Sequence, residues 1–167
     1  MSEASQQRAY IGLGSNLEDP YRQIMRALEA LDRLPVSRLA GHSPLYASAP
    51  HGPKDQPDFI NAVAALDTRL SPLALLDQLQ VLEQRQRRKR LRHWGPRTLD
   101  LDLLLYGDRC IDHPRLRLPH PHMTSRGFVL TPLAKLAPHL CLPDGREIGP
   151  LALAQHSDDL RELLPQR

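Results

Sequence analysis

The spacing of hydrophobic residues divides the chain into short strands and helices. Four segments show the two-residue alternation or the apolar run of a β-strand, at 9–14, 36–48, 59–67 and 98–106. Three show helical spacing, after Asp19-Pro20, after Ser71-Pro72 and over 125–137. In the first two, we expect the Asp or Ser side chain to cap the helix and the proline to take its first position. A weaker helical segment is predicted near the C-terminus.

The order β-α-β-β-α-β, with added elements at the end, predicts an α+β fold. It is typical of a ferredoxin-like split β-α-β sandwich, an antiparallel sheet with helices packed mainly on one face. With 167 residues and no internal repeat, the chain is expected to form a single domain over 1–167. We place its core at about 9–153, with 1–8 and 154–167 peripheral.

Composition excludes several classes of protein. The 41% hydrophobic and 25% charged residues are close to those of an ordinary globular protein. No apolar run approaches the roughly 18 residues that span a bilayer, and residues 1–8 lack the apolar core of a signal peptide. We therefore expect a cytoplasmic protein in which Cys110 and Cys141 are reduced.

Positive charge is concentrated in one segment. The net charge is +3, but 85–97 contains seven basic residues and no acidic one, and the rest of the chain is net negative. Such a segment favours a polyanion as partner: a nucleic acid, a membrane surface or the triphosphate of a nucleotide.

The strand that follows this segment carries two carboxylates. In TLDLDLLLY (98–106), Asp100 and Asp102 point to one face, roughly 6–7 Å apart along the strand, and the leucines at 99, 101, 103 and 105 are expected on the other. Two like charges on a half-buried strand are costly unless a cation joins them. Mg²⁺ uses one or two carboxylates plus substrate phosphate oxygens. A solvated strand with two Asp residues is the alternative interpretation.

Arg97 lies three residues before this carboxylate pair. A cation beside two metal-binding carboxylates suits phosphoryl-type transfer, in which arginines hold the charge that develops on the transferred group. A basic loop that docks on RNA is the alternative. The chain has no P-loop motif, and Gly12-Leu13-Gly14 is too short for a dinucleotide fingerprint. His120 and His122 lack a third zinc ligand at a supporting distance.

Four blocks of sequence resemble one enzyme family. Residues 94–105, WGPRTLDLDLLL, are similar to the signature of the 6-hydroxymethyl-7,8-dihydropterin pyrophosphokinases. Residues 10–17, 56–61 and 119–133 resemble three further blocks of that family in the same order. The resemblance implies transfer of pyrophosphate from ATP to the pterin alcohol, with AMP and the pterin diphosphate as products, a step of folate biosynthesis. It also implies two Mg²⁺ ions bridged by Asp100 and Asp102.

The same resemblance implies roles for individual residues. Arg88 and Arg97 match the catalytic arginines, together with Asp100 and Asp102. The positions that match the ATP side are Gln80, Glu83, Arg88, Arg97, Leu103, Arg115 and His120. Those that match the pterin side are Ser48, Ala49, Phe59, Asn61, Trp94, Asp100 and Phe128. Phe59 and Phe128 would stack on the ring, and the Asn61 amide would bind its polar edge.

The chain departs from the family at four places. Ser48-Ala49 replaces Thr-Pro, His51 replaces an apolar residue, Arg87-Arg88-Lys89-Arg90 lacks a glycine, and Pro121 stands where an aromatic residue sometimes follows the histidine. Three rival interpretations are an RNA-binding module, a Mg²⁺-dependent phosphohydrolase and a degenerate regulatory homologue; the intact Asp pair and arginines argue against the last. The carboxylate pair would repel RNA, and no water-activating base accompanies it. We therefore expect small-molecule partners, ATP and the pterin alcohol, with no nucleic acid and no membrane, and a monomeric protein.

Overall fold

The computed structural model describes residues 5–16, 19–48, 58–88 and 99–165, and of Arg87 and Arg88 only the backbone. Its elements follow in chain order: β1 (Gln7–Ser15), α1 (Pro20–Asp32), β2 (Ser37–His42), β3 (Tyr46–Ser48), β4 (Phe59–Thr68), α2 (Pro72–Arg88), β5 (Leu99–Tyr106), β6 (Ile111–His113), β7 (Leu116–Leu118), a 3-10 turn (Met123–Ser125), α3 (Gly127–Leu136), α4 (Ile148–Ala154) and β8 (Arg161–Glu162).

The described strands form a six-stranded antiparallel sheet and a separate hairpin. The sheet runs β5-β1-β4-β3-β8, β2 also pairs with β4, and β6 pairs with β7. Strands β1 and β4 are central, and β5 lies at one edge. The β1-α1-β2/β3-β4-α2-β5 order confirms the predicted ferredoxin-like fold.

Helices α1 and α2 pack on one face of the sheet. Their apolar residues meet alternate residues of the central strands, among them the fully buried Ile11, Ile24, Leu31 and Leu79. The predicted helical spacing of α1 is therefore confirmed. Ser71 caps α2 as predicted, because its Oγ accepts a hydrogen bond from the backbone N–H of Ala74 at 3.2 Å.

Helices α3 and α4 cover the opposite face. Val129, Leu130 and Leu133 of α3 pack with Ile148 of α4 against strand residues such as Val63. The fold thus adds a second helical layer to the one expected from the sequence. Among the described residues, no helix is both long enough and apolar enough to cross a bilayer.

Three predictions of local structure differ from what is observed: one strand, one helix cap and one helix end. The strand expected over 36–48 is two strands, because residues 43–45, with Pro44 at their centre, interrupt it. Asp19 precedes α1 as predicted but adopts a left-handed conformation, φ 55°, and its side chain makes no capping bond. Helix α2 continues to Arg88 rather than ending at Glu83, so the first part of the basic segment is helical.

A β-bulge in β5 changes which face its residues occupy. Tyr10 pairs with Leu105 and Ile11 with Leu103, which leaves Leu104 without a partner on β1. The extra residue reverses the alternation. Leu99, Leu101 and Leu103 pack toward α1 and α2 as predicted, whereas Leu105 packs toward α3. Its predicted position on the first face was wrong for this reason.

A buried carboxylate joins three strands at the end of the sheet. Asp67 of β4 lies opposite Arg8 of β1 and Arg38 of β2. The Arg8 Nε donates to its Oδ1 at 2.6 Å, and the Arg38 guanidinium lies 3.4 Å from Oδ2. The Arg8 hydrogen bond is the main reason that the pKa of Asp67 lies below its ordinary value.

We expect Asp67→Asn to lower the free energy of unfolding by roughly 1–2 kcal/mol at pH 7, since both arginines are partly exposed and screened by water. A carboxylate with a depressed folded-state pKa stabilises the fold above its unfolded pKa, about 3.9. That contribution is lost as pH falls toward the folded-state pKa. Urea unfolding at pH 7 and pH 3 should therefore show a difference in unfolding free energy between parent and variant that is smaller at pH 3 than at pH 7. An equal difference at both pH values would contradict this role.

Candidate active site

A cavity of about 430 Å³ opens on the α3 side of the sheet. Its lining includes six residues singled out from the sequence: Ser48, Phe59, Asn61, Asp100, Asp102 and Phe128. These come from β3, β4, β5 and the first turn of α3, so four separate elements bring them together. We call this space the aromatic cavity.

The two phenylalanines of the chain belong to this cavity and not to the core. Phe128 is 41% exposed, Phe59 is half-buried, and neither joins either of the two clusters of buried hydrophobic residues. An aromatic side chain that the core does not use is available to stack on a flat ligand. The guanidinium carbon of Arg126 lies 5.8 Å from the centroid of the Phe128 ring, and Arg126 also lines the cavity.

The absence of a side chain at Gly14 makes room for the Asn61 amide. A Cβ atom built on Gly14 would lie 2.7 Å from Asn61 Nδ2. The two residues are paired across β1 and β4, and both line the aromatic cavity. The glycine therefore sets the position of the amide over the sheet.

We expect Gly14→Ala to displace the Asn61 amide by rotation of that side chain, with little effect on the fold. Because the amide is proposed to bind the polar edge of the pterin, the dissociation constant for the pterin should rise about tenfold, the cost of one hydrogen bond. Gly41→Ala is the control, because Gly41 does not line the aromatic cavity and its Cβ would meet only Leu136 at an ordinary 3.8 Å. Calorimetry on both variants measures the effect, and equal affinities would contradict it.

Asp100 and Asp102 lie side by side on the floor of this cavity, as the strand alternation predicted. Each is half-buried. Burial is the main cause that raises the pKa of Asp102; His120 in its protonated form and the charge of Arg126 oppose the rise, and the charge of Asp100 adds to it. Burial therefore makes the ionised form of the pair energetically costly. A cation between the carboxylates would relieve that cost.

A second cleft, of about 340 Å³, adjoins the cavity. We call it the arginine cleft, since Arg115 and Arg117 line it together with Leu103 and His120. Asp102 lines both the aromatic cavity and the arginine cleft. Asp102, next to Asp100, thus stands where the two spaces meet.

The bulge in β5 holds His120 beside Asp102. The Leu104 carbonyl accepts the backbone N–H of His120 at 3.0 Å. The ring Nδ1 accepts the backbone N–H of His122 at 3.2 Å, so it carries no hydrogen and the neutral ring is protonated on Nε2. Burial lowers the pKa of His120, with the charge of Asp102 acting in the opposite direction. His120 is thus a neutral hydrogen-bond donor through Nε2.

The other ATP-side predictions occupy two different environments. Arg115 is paired with Asp77 at 2.5 Å and contacts Gln80 Oε1 at 3.3 Å, which brings Gln80 to the edge of the arginine cleft. Glu83 accepts the backbone N–H of Leu101 on its Oε2 at 2.9 Å. It therefore ties the exposed edge of β5 to α2 between the two aspartates, a positional role that the sequence did not indicate.

Four predicted residues cannot be placed. Ala49, Trp94 and Arg97 lie outside the described residues, and so does the side chain of Arg88. Conversely, the structure brings in Arg126, Gly12 and Gly14. In the sequence, Gly12 and Gly14 form too short a glycine motif to indicate a site, and Arg126 was indicated only as part of a block that resembles the family.

Comparison with known proteins shows the family of this chain. A family model described as 7,8-dihydro-6-hydroxymethylpterin-pyrophosphokinase (HPPK) matches residues 10–138. The chain is 60% identical over 148 residues to the 2-amino-4-hydroxy-6-hydroxymethyldihydropteridine pyrophosphokinase of Pseudomonas aeruginosa, covering 89% of this chain and 91% of that one. It is 52% identical over 143 residues to the protein of the same name from Haemophilus influenzae, covering 86% and 89%.

Solved structures share the fold at low sequence identity. Wild-type Plasmodium falciparum HPPK-DHPS with pteroate superposes with a TM-score of 0.69 at 15% identity, over 92% of this chain and 43% of that one. Its structure with pterin and p-hydroxybenzoate gives 0.71 at 14%, over 97% and 47%. The chain thus spans less than half the length of these two-part proteins. By sequence and by fold, it belongs to the 7,8-dihydro-6-hydroxymethylpterin-pyrophosphokinase family.

Proposed function

We propose that this chain transfers the pyrophosphoryl group of ATP to 6-hydroxymethyl-7,8-dihydropterin, giving AMP and the pterin diphosphate. The observation that carries the proposal is that Asp102 lines two adjoining spaces of different character. One is walled by aromatic rings and an amide, and the other by arginines and a histidine. A reaction between a flat heterocycle and a nucleotide phosphate needs both spaces, with the reacting groups at their junction.

The aromatic cavity would take the pterin. Phe59 and Phe128 supply two stacking faces, and the Asn61 amide supplies a donor and an acceptor together. Ser48, opposite Phe59 on the neighbouring strand, lies in the same wall. Ala49 and Trp94 are proposed to complete the pocket, on the strength of the family resemblance.

The arginine cleft would take ATP. Leu103 offers an apolar surface, while Arg115 offers a guanidinium already oriented by Asp77. The neutral His120 would donate from Nε2 to a phosphate oxygen. Gln80 and Glu83 are proposed to act here through Arg115 and through β5, respectively.

Asp100 and Asp102 have the donor set that a hard divalent cation prefers, and we propose that they hold two Mg²⁺ ions. In the described part of the chain, no group of three or more His, Cys, Asp or Glu could hold a metal. The remaining ligands would therefore be phosphate oxygens and water, the usual shell of Mg²⁺. When bound, the ions would neutralise charge on the phosphate oxygens.

In the transfer itself, the hydroxymethyl oxygen forms a bond to the β-phosphorus of ATP. The bond from that phosphorus to the α–β bridging oxygen breaks, AMP leaves with the bonding electrons, and the hydroxyl proton is released. Arg88 and Arg97 are proposed to stabilise the charge that develops on the transferred group. The single-domain organisation, the monomeric state and the cytoplasmic location stay predictions.

The proposal is tested by incubating the protein with ATP, Mg²⁺ and the pterin alcohol and identifying the nucleotide product. We expect AMP and the pterin diphosphate in equal amounts. Formation of ADP would indicate transfer of one phosphoryl group, and AMP formed equally well without the pterin would indicate a hydrolase. Omission of the pterin alcohol is thus the essential control.

A further inference from the structure

The end of the chain forms an outer strand next to the aromatic cavity. In β8, Glu162 pairs with Tyr46 and Arg161 with Ala47 of β3. The Leu163 N–H continues the ladder with a 2.8 Å bond to the Leu45 carbonyl. This pairing covers the free edge of β3.

Strand β3 lies directly between β8 and the wall of the cavity. On its inner edge, Tyr46 pairs with Asn61 and Ser48 with Phe59. Three of these four residues line the aromatic cavity: Ser48, Phe59 and Asn61. A shift of β3 toward solvent would therefore change the position of the groups proposed to bind the pterin.

Side chains strengthen this connection at both residues of β8. Arg161 donates to Asp58 Oδ2 at 3.0 Å, and Asp58 is the residue directly before Phe59. Glu162 accepts from the Tyr46 hydroxyl at 3.1 Å and lies 4.0 Å from Lys135 of α3. Burial, and next the Glu162 bond, raise the pKa of Tyr46 to about 12, so the hydroxyl keeps its proton and remains a donor.

Helix α4 meets the other wall of the cavity. A Cβ atom on Gly127 would lie 2.4 Å from the Gln155 carbonyl oxygen, which shows how closely the end of α4 approaches the first turn of α3. That turn carries Phe128. The segment from α4 to β8 therefore contacts the elements that carry both aromatic rings.

We propose that Arg161 is a positioning residue for the pterin site, holding the start of β4, and with it Phe59, through its ion pair with Asp58. The proposal rests on the proposed function for the identity of the ligand. The Arg161 and Asp58 side chains are 63% and 45% exposed, so the pair contributes little to global stability. Its effect is confined to the start of β4, where Phe59 joins the wall of the aromatic cavity.

We expect Arg161→Ala to raise the dissociation constant for the pterin alcohol by about twofold to fivefold, the most that loss of an exposed ion pair can contribute. Affinity for a non-hydrolysable ATP analogue and kcat at saturating pterin should stay unchanged. Arg146→Ala is the matched control, because Arg146 makes an ion pair of similar exposure with Asp144, at 2.8 Å, and neither residue lines the aromatic cavity. Calorimetry with each ligand and thermal melting measure these quantities.

A charge-reversed pair keeps the test decisive. Asp58→Arg combined with Arg161→Asp should recover most of the pterin affinity that either single variant loses. Unchanged pterin affinity in Arg161→Ala, or equal losses for both ligands, would overturn the positioning role while leaving the proposed function intact. Failure of the parent protein to bind the pterin at all would instead overturn the proposed function.

Discussion

Asp102→Asn is expected to lower the rate of pterin diphosphate formation by on the order of 10³-fold or more. It should leave the ligand-free protein at least as stable as the parent. The carboxylate is half-buried beside Asp100, and burial raises its pKa. Its ionised form is thus disfavoured in the fold, and the neutral amide removes that cost. A residue that weakens the fold but stays charged is typical of a binding or catalytic site.

Two measurements distinguish loss of catalysis from loss of folding. Thermal melting in EDTA reports the stability of the ligand-free protein, and AMP release with Mg²⁺ reports turnover. Asp108→Asn is the matched control, since Asp108 is exposed in the turn just after the same strand. Near-normal turnover in Asp102→Asn would refute the metal assignment, and a large drop in melting temperature would refute the energetic argument.

The parts of the fold that were predicted depend on local pattern. In β1, β4, β5 and α1, the apolar residues follow one another at a regular spacing within one short segment. Such a spacing can be read directly from the sequence. Strands form where this pattern predicted them, at Gln7–Ser15, Phe59–Thr68 and Leu99–Tyr106.

The parts that were missed depend on contacts between distant segments. Nothing in LDLDLLLY reveals that Leu104 is a bulge, because the extra residue is defined only by its pairing with β1. Strand β8 has two residues, and it is defined by its pairing with β3 (Tyr46–Ser48). A pattern of so few residues cannot be separated from a loop by propensity alone.

The candidate site divides in the same way. The two aspartates were visible as unusual choices for a strand, whereas Phe59 and Phe128 were implied by the family resemblance. The structure brings all four residues into one cavity. The contact of Gly14 with Asn61 and the bond from Leu101 to Glu83 are set by tertiary packing. Such contacts position the functional side chains, but the residue types alone do not reveal them.

Arg88→Ala is expected to lower kcat by on the order of 10³-fold, the effect of losing a catalytic arginine in phosphoryl transfer, with a much smaller change in ATP affinity. A group that stabilises charge only as it develops acts on the transition state more than on the ground state. Arg85→Ala is the structural control. It removes the same charge from the same helix, but Arg85 lines a groove with Arg26 of α1 and with Arg33, the residue just after α1, and not the aromatic cavity.

Single-turnover kinetics at low and high ionic strength distinguishes a catalytic arginine from general electrostatic attraction. An attractor would act through affinity, and added salt would screen it. Similar, salt-sensitive losses of ATP affinity in Arg88→Ala and Arg92→Ala, with the chemical step intact, would remove Arg88 from the catalytic residues. A chemical defect in Arg90→Ala but not in Arg88→Ala would move the role two residues along the chain. That shift is the one to test, because the glycine that the family resemblance leads us to expect is absent from Arg87-Arg88-Lys89-Arg90.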